Sequence, residues 1–186
     1  MRVLLAFSRG IDFLSENVGL AVRWLVLLVV LVSSVNATVR YALNESSNGW
    51  LELQWYLYSA IFLLTSAYTL QRNEHVRIDI LASRFPHRVQ VWIDIFGTLF
   101  FLLPIAILIM YLSWPMFIQS YLQHEGSPNA GGLLRWPVKL LVPVAFALLA
   151  LQGVSELIKR IAHLMGLIPD PAIKPDGPHG MPPGEL

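Results

Sequence analysis

Four long apolar runs constrain this chain more than any other feature of its sequence. They cover about residues 24–43, 51–70, 89–112 and 138–158, and each contains very few charged residues. At a rise of 1.5 Å per residue, a helix of about 20 residues crosses a hydrocarbon core of about 30 Å. Lipid offers the backbone no hydrogen-bond partner, so a segment that crosses it must be helical. The sequence therefore predicts an all-α membrane protein with four transmembrane helices.

The composition agrees with this prediction and excludes several classes of site. Charged residues make up 13% of the chain and hydrophobic residues 55%, whereas roughly a quarter of an ordinary soluble domain is charged. The chain has no cysteine, which excludes disulfide frameworks, thiolate zinc sites and cysteine nucleophiles. It also lacks the short motifs of zinc proteases, dinucleotide-binding enzymes and serine hydrolases. We therefore expect no enzyme activity, no cofactor and no metal site.

The positions of the 13 lysines and arginines predict the orientation in the membrane. With a cytoplasmic N-terminus, only Arg40, Arg135 and Lys139 lie outside, and cytoplasmic loops are normally rich in Lys and Arg. Trp24 and Trp92 then fall near the inner interface, where amphipathic aromatic rings reside. Both termini are thus predicted to face the cytoplasm (N-in/C-in). The basic residues assigned to the inner side are Arg2, Arg9, Arg23, Arg72, Arg77, Arg84, Arg88, Lys159, Arg160 and Lys174.

The two ends of the chain are predicted to lie outside the spans. Residues 1–17 are expected to form an amphipathic helix in the inner interface. Its apolar face consists of Leu4, Phe7, Ile11 and Leu14. A cleavable signal peptide is the alternative for the first apolar run, but the region before that run is long and contains two acidic residues. Residues 166–186 hold six prolines and four glycines and are predicted to form a disordered cytoplasmic tail.

The stretch QRNEHVRIDIL between the second and third runs is the most charged part of the chain. Its apolar spacing predicts a short interfacial helix over about residues 75–85, with Arg77 and Arg84 directed at lipid phosphates. His75 and Asp79 are four residues apart and can form a solvated pair on that helix. A metal or acid–base role for this pair is the alternative. It is disfavoured because a zinc site usually needs three or four ligands.

Two segments resemble a known family of transport proteins. The segment NGWLELQWYLYSAIFLLTSAYTLQRNEHVRIDIL resembles the second span and following loop of the small membrane subunit of tripartite ATP-independent periplasmic (TRAP) transporters, the DctQ-like small permeases. Residues 127–161, SPNAGGLLRWPVKLLVPVAFALLALQGVSELIKRI, resemble the last span of the same subunit. The resemblance extends over about residues 15–165 and includes the layout with four spans.

The resemblance implies a subunit that carries out no chemistry itself. In this family the small subunit binds a large sodium-coupled permease that moves as an elevator, and it enlarges the fixed scaffold of that permease. A periplasmic binding protein captures the substrate, commonly an organic acid, and delivers it. The implied partners are therefore the large permease, the binding protein and the lipids of the bacterial inner membrane, with no nucleic acid.

The middles of the apolar runs agree with a scaffold role. Segments such as LFFLLPIAILIM and VAFALLALQG are almost free of polar side chains, whereas a transport pathway requires polar groups within the membrane. A self-contained small transporter or channel that works as a homo-oligomer is the alternative function. It would require a central carboxylate, and Asp94 is predicted to lie too near the inner interface for that role.

Asp94 and Gly97 are candidates for contact with the large permease. They share one face of the third span, where small residues permit close approach of another helix. The alternatives for Asp94 are an interfacial carboxylate that reaches the lipid headgroups or pairs with a nearby arginine, and a proton or sodium site.

Three residues of the second span are further candidates for this contact. Ser59 and Ser66 lie seven residues apart and form a small face. Glu52 lies at the outer start of the helix, where a carboxylate also interacts favourably with the helix dipole. A purely local role of Glu52, or a contact with Arg40, is the alternative.

The outer loop QHEGSPNAGGLLRWP, residues 123–137, is long and rich in glycine. Glu125 and Arg135 in this loop are predicted to contribute to docking of the periplasmic binding protein. A plain connecting loop is the alternative.

Overall fold

The fold was analysed in a computed structural model, which describes residues 2–44, 47–73 and 86–169. The described residues are almost entirely helical and form no strand beyond an isolated bridge between Gly126 and Leu134. The predicted all-α architecture is therefore confirmed. The elements are α1 (Arg2–Leu43), α2 (Asn48–Gln71), α3 (His87–Gly97), a π-helical turn (Thr98–Leu102), α4 (Leu103–Leu122) and α5 (Trp136–Leu164).

Among the residues that the structure describes, three helices are long and apolar enough to cross a membrane. They are Arg2–Leu43, Arg88–Leu122 and Trp136–Leu164. The 24 residues of α2 also suffice in length, but tryptophan, tyrosine, serine and threonine lower its hydropathy. The span predicted for residues 51–70 agrees with the bounds of α2, whereas its crossing of the membrane stays a prediction.

The first helix differs from the two segments that the sequence predicted. It runs from Arg2 to Leu43 without a break near residue 17, and no proline interrupts it. With 42 residues it is about 63 Å long, roughly twice the thickness of a hydrocarbon core. Within residues 1–17, Ser8, Ile11 and Ser15 are buried against the other helices. The N-terminal part of α1 is thus packed into the bundle on this face, and its position relative to the interface stays a prediction.

The helix that contains the third predicted span is longer in the structure than the span that the sequence predicts. α3, the π-helical turn and α4 join into one helix, called α3–α4 below, that continues ten residues beyond the predicted end at Leu112. Pro104 has no N–H for the carbonyl four residues back, and its ring crowds that carbonyl. The wider π turn immediately before it accommodates the ring, and the N–H of Leu103 bonds to the carbonyl of Thr98. The helix ends only where His124 adopts a positive φ of 47°.

The last helix, α5, is the centre of the packing. It contacts α1, α2 and α3–α4, and α1 also packs along α2. In the apolar 18-residue stretch of α5, 33% of the residues are buried, whereas 11% are buried in the corresponding stretches of α1 and of α3–α4. Among the described residues, α3–α4 packs almost entirely against α5. The molecule is therefore a bundle of α1, α2 and α5 with α3–α4 attached at one side.

Small residues and valines at intervals of seven lie at the contacts between these helices. A spacing of seven keeps residues on one face of a helix that crosses its neighbour at a shallow angle, and small side chains permit close approach. On α5, Gly153 lies where an added Cβ would come within 2.8 Å of the Leu102 side chain. The buried series are Ser8, Ser15, Val22 and Val29 on α1, and Ala106, Ser113 and Ser120 on α4.

Candidate functional site: the polar layers of the bundle

A buried amide links α1 to α5 at one end of the bundle. The Gln152 side chain is fully buried and its Nε2 donates to Asp12 Oδ1 at 2.8 Å and to Glu156 Oε1 at 3.2 Å. Its Oε1 accepts a hydrogen bond of 2.7 Å from Ser15 Oγ. Both N–H groups and the oxygen of this amide are thus used, which favours a single rigid arrangement of the two helices.

Lys159 completes this arrangement by bridging two carboxylates. Its Nζ lies 3.2 Å from Asp12 Oδ1 and 2.6 Å from Glu156 Oε1. Nearby, the hydroxyls of Ser8 and Ser155 are hydrogen-bonded at 2.7 Å. Charges taken out of water are tolerated when they are paired and hydrogen-bonded in this way. Asp12 is not among the residues to which the sequence assigns a role, and the structure shows that it connects α1 with α5.

The C-terminal end of α2 reaches the same level of the bundle. Gln71 Nε2 donates to the backbone oxygen of Asp12 at 3.1 Å, and Arg72 pairs with Glu16 at 2.9 Å. The Arg72 guanidinium also lies 5.3 Å from the centre of the Tyr68 ring. The ion pair is half-exposed, so it contributes little to stability. These contacts nevertheless fix which parts of α1 and α2 lie at the same level.

Asp94 of α3 forms an ion pair with Arg160 of α5. The arginine is 5% exposed, so its charge depends on this carboxylate. The predicted contact of Asp94 with a partner subunit stays a prediction, although its carboxylate is used within the chain. Together with the preceding contacts, the pair completes what is called the inner layer: Asp12, Glu16, Arg72, Asp94, Glu156, Lys159 and Arg160.

Gly97, one turn beyond Asp94, borders an open groove. Apart from its chain neighbours and the backbone of its own helix, no atom of the described residues lies within 4 Å of the position that a Cβ would occupy at Gly97. The groove has a volume of about 530 Å³ and lies between α3–α4, α5 and the end of α2. Its apolar lining includes Leu70, Phe101, Ile105, Phe146 and Leu149. Gly97 is therefore free to receive another molecule, and its contact with a partner stays a prediction.

Three polar residues of α2 bind the outer loop at the other end of the bundle. Asn48 Nδ2 donates to the carbonyl of Ala130 at 3.0 Å, and the Tyr56 hydroxyl donates to the carbonyl of Leu134 at 2.9 Å. Between them lies Glu52, which is only 4% exposed. The spacing of four residues places Asn48, Glu52 and Tyr56 on one face of the helix. This polar spacing is visible in the sequence, but sequence analysis gave no weight to Asn48 or Tyr56.

The carboxylate of Glu52 is occupied entirely by the loop. It accepts hydrogen bonds from the Ser127 hydroxyl, from Asn129 Nδ2 at 2.9 Å and from the backbone N–H of Leu133 at 2.7 Å. Gly132 lies so close that a Cβ there would come within 2.8 Å of Glu52 Oε2. Glu52 thus has a local role, as one alternative expected, but the group that it binds is the outer loop. Its contact with a partner subunit stays a prediction.

The loop is also closed at its base. Glu125 pairs with Lys139 at the start of α5, and the backbone N–H of Arg135 donates to the carbonyl of Glu125 at 2.8 Å. The hydrogen bond from the Lys139 ammonium lowers the pKa of the Glu125 carboxyl below its ordinary value of 4.5. Arg135 is half-buried beside this pair. The outer layer is defined as Asn48, Glu52, Glu125, Arg135 and Lys139.

The remaining predicted site residues are distributed as follows. Trp24 and Trp92 are 71% and 61% exposed. Ser59 and Ser66 are half-buried, and Ser66 Oγ donates to the carbonyl of Leu63 in its own helix at 2.7 Å. Arg77, Arg84 and the His75–Asp79 pair lie outside the described residues, as do the predicted helix 75–85 and most of the tail. Among the described residues, no three His, Asp or Glu side chains converge as metal ligands.

Comparison with known proteins gives one family. The model of the family described as "Tripartite ATP-independent periplasmic transporters, DctQ component" matches residues 29–163, well over half of the chain. No curated protein and no solved structure matches the chain. The matched region contains α2, α3–α4, the outer loop and nearly all of α5. The chain therefore belongs to the DctQ family, a membrane component of TRAP transporters, and is part of a transporter rather than an enzyme.

Proposed function

We propose that this chain is the scaffold subunit of a TRAP transporter, with four spans and both termini in the cytoplasm of a bacterium. The length of α2 supports its inclusion as a span, which brings the number of spans to four. It extends over about 36 Å from the outer to the inner layer. Its Glu52 binds the outer loop, and its Gln71 reaches Asp12 in the inner layer. A helix that connects both polar layers of an otherwise apolar bundle crosses the same thickness as its neighbours.

The placement of polar groups is the observation that carries the scaffold role. The ion pairs of the described residues lie in the two layers at the ends of the bundle. Hydroxyls between the layers, such as those of Ser66 and Thr69, bond to carbonyls of their own helix. A hydrophilic substrate requires polar groups along its whole path. The large sodium-coupled permease then supplies the path for an organic acid, and this chain supports it.

The helix α3–α4 offers a surface for that permease. It packs almost entirely against α5 and leaves large side chains exposed on its other faces, among them Phe96, Phe100, Ile107 and Tyr111. Exposed apolar residues in a membrane face either lipid or another helix. Asp94 and Gly97 lie beside the groove on this helix, which agrees with their proposed place in the interface.

The outer loop is proposed to take part in docking the periplasmic binding protein. Residues 128–131 at its tip are exposed, while the hydrogen bonds to Glu52 hold the residues around them. A loop that is already ordered loses little conformational entropy when it binds. Glu125 and Arg135 at its base contribute charge to this surface.

Co-expression with the large permease tests the proposal. The two chains should purify as a stable complex that transports in proteoliposomes when the loaded binding protein is added. This chain alone should transport nothing under the same conditions. Transport by the isolated chain would establish the alternative function, a small homo-oligomeric transporter or channel.

A further inference from the structure

Arg23 is the one charged residue in the described ranges that lies between the two polar layers of the bundle. Sequence analysis assigned it to the inner side, next to the predicted start of a span at residue 24. The inner layer, however, contacts α1 at Asp12, Ser15 and Glu16. Arg23 is seven positions beyond Glu16, which is about 10 Å along the helix.

The contact of α1 with α2 also places Arg23 between the two layers. An added Cβ at Gly19 would come within 2.5 Å of the Tyr68 ring, so these two residues lie level with each other. Because α1 and α2 run antiparallel, Val35 of α1 then lies level with Glu52 in the outer layer. Arg23 is about 18 Å short of that level. Its Cα therefore lies well inside the apolar zone, about 10 Å from the inner layer and about 18 Å from the outer layer.

The side chains around Arg23 on α1 are apolar, and none of the described residues pairs with it. The side chain is exposed on the surface of the bundle, and its neighbours one and two turns away, Leu20, Leu27 and Val30, are 40%, 51% and 53% exposed. Arg23 makes no hydrogen bond or ion pair with any residue that the structure describes. Within membranes such charges are rare, and they face a partner group or water rather than hydrocarbon.

We infer that Arg23 pairs with a carboxylate of the large permease, and that this exposed face of α1 is an interface between the two subunits. The inference rests on the proposed function, which supplies the partner. Charge complementarity selects the occupant, because an acidic side chain on a membrane helix has the same need for a counter-ion. The pair forms within the hydrocarbon layer. It therefore fixes both the depth of this chain relative to the permease and its rotation about the membrane normal.

Variants of Arg23 test the inference through two readouts that change in opposite directions. Arg23→Leu should weaken the complex with the large permease at least roughly 30-fold, because it leaves a carboxylate buried without its partner. The isolated Arg23→Leu subunit should insert and resist thermal unfolding at least as well as the wild type, since a leucine side chain suits lipid better than an unpaired charge. Arg23→Lys should retain more of the affinity than Arg23→Leu does.

The matched controls are Arg9→Leu and Arg40→Leu on the same helix, which lie at the levels of the inner and outer layers rather than between them and should leave assembly unchanged. Arg23→Glu should abolish assembly, and a lysine in place of one membrane-embedded carboxylate of the permease should restore it. If wild-type and Arg23→Leu chains bind the permease equally well, the inference fails while the scaffold proposal stands. If Arg23→Leu instead loses a tightly bound anionic lipid, seen by native mass spectrometry, with assembly unchanged, the inference is likewise overturned. If the wild-type chain does not bind the permease at all, the proposed function itself fails.

Discussion

Asp94 of α3 and Arg160 of α5 form an ion pair that joins helix α3–α4 to the bundle of α1, α2 and α5. The two partners differ in burial: 25% of the Asp94 side chain is exposed, whereas only 6% of the Arg160 side chain is exposed. Loss of the carboxylate would leave a buried guanidinium without a counter-charge, whereas loss of the guanidinium would leave a carboxylate that still reaches solvent. The pair therefore stabilises the attachment of α3–α4 mainly by neutralising Arg160.

Asp94→Asn should destabilise the isolated subunit by about 3–5 kcal/mol, the usual cost of removing one partner of a buried pair. The double variant Asp94→Leu with Arg160→Met should recover most of this loss, because it leaves no buried charge. Thermal unfolding in detergent measures both. Glu16→Gln is the control, since its pair with Arg72 is half-exposed and is worth about 0–1 kcal/mol. Equal stability of Asp94→Asn and Glu16→Gln would show that Arg160 has another counter-ion.

Gly19 should be far less tolerant of substitution than Gly10, although both lie within α1. An added methyl group at Gly19 would lie 2.5 Å from Tyr68 Cγ and 3.0 Å from its Cβ, so the backbones of α1 and α2 must separate. Gly19→Ala is expected to destabilise the subunit by about 1–3 kcal/mol. Gly10 has no atom within 4 Å of its Cβ position, and Gly10→Ala should stabilise by about 0.5–1 kcal/mol through helix propensity. Denaturation by sodium dodecyl sulfate compares the two, and equal values would disprove the close contact.

Gly97→Leu separates the packing of this chain from its packing against a partner. The open space at Gly97 means that the isolated subunit should unfold at the same temperature or slightly higher, because leucine is the better helix former. If the large permease approaches this face closely, the same variant should weaken the complex about tenfold or more, by overpacking of the interface. Affinity capture of the permease by each variant measures this, with Gly10→Ala as control. Unchanged capture would remove Gly97 from the interface.

Much of the fold can be predicted from the sequence because it depends on local pattern. The bounds of α2 lie within three residues of the predicted span, since it begins and ends near polar stretches. Helix α5 begins two residues before its predicted span but ends six residues after it. The end of the third run could not be placed in this way. Pro104 and Pro115 suggest interruptions, but a π turn accommodates the first and the helix continues through the second.

The site was harder to predict because its contacts join residues that are distant in sequence. Asp12 and Lys159 are separated by 147 positions, and no periodicity within α1 or α5 reports that they meet. The depth of Arg23 has the same origin, as it depends on the level at which Gly19 meets Tyr68. Some signals were present, however. The spacing of seven between Ser8 and Ser15 indicates a buried small face on α1.

Glu52 should determine the order of the outer loop. Glu52→Ala removes the acceptor for three donors of the loop, and each donor left unpaired costs about 1–3 kcal/mol where it stays buried. Backbone amides of residues 127–133 should then exchange with deuterium at least about tenfold faster. Transport should need a higher concentration of loaded binding protein for half-maximal rate, with the maximal rate unchanged. Tyr56→Phe, which removes one bond, should show a smaller effect, and slow exchange in Glu52→Ala would exclude this role.

The pairing of Glu125 with Lys139 predicts a dependence of the loop on pH. Because the hydrogen bond from Lys139 lowers the pKa of Glu125 below 4.5, the paired state binds fewer protons than the open state. Its stabilisation is therefore fully present above about pH 4.5 and is lost as the pH falls through the lowered pKa. Hydrogen exchange of residues 123–135, corrected for the intrinsic pH dependence of amide exchange, should be constant from about pH 7 to about pH 5 and become faster below that range. Glu125→Gln should reduce this acid-induced change, and the part that remains is expected from protonation of Glu52, whose carboxylate also binds the loop. An opening between about pH 5 and about pH 7 that Glu125→Gln removes would contradict the assignment, because a carboxyl with a lowered pKa does not titrate in that range.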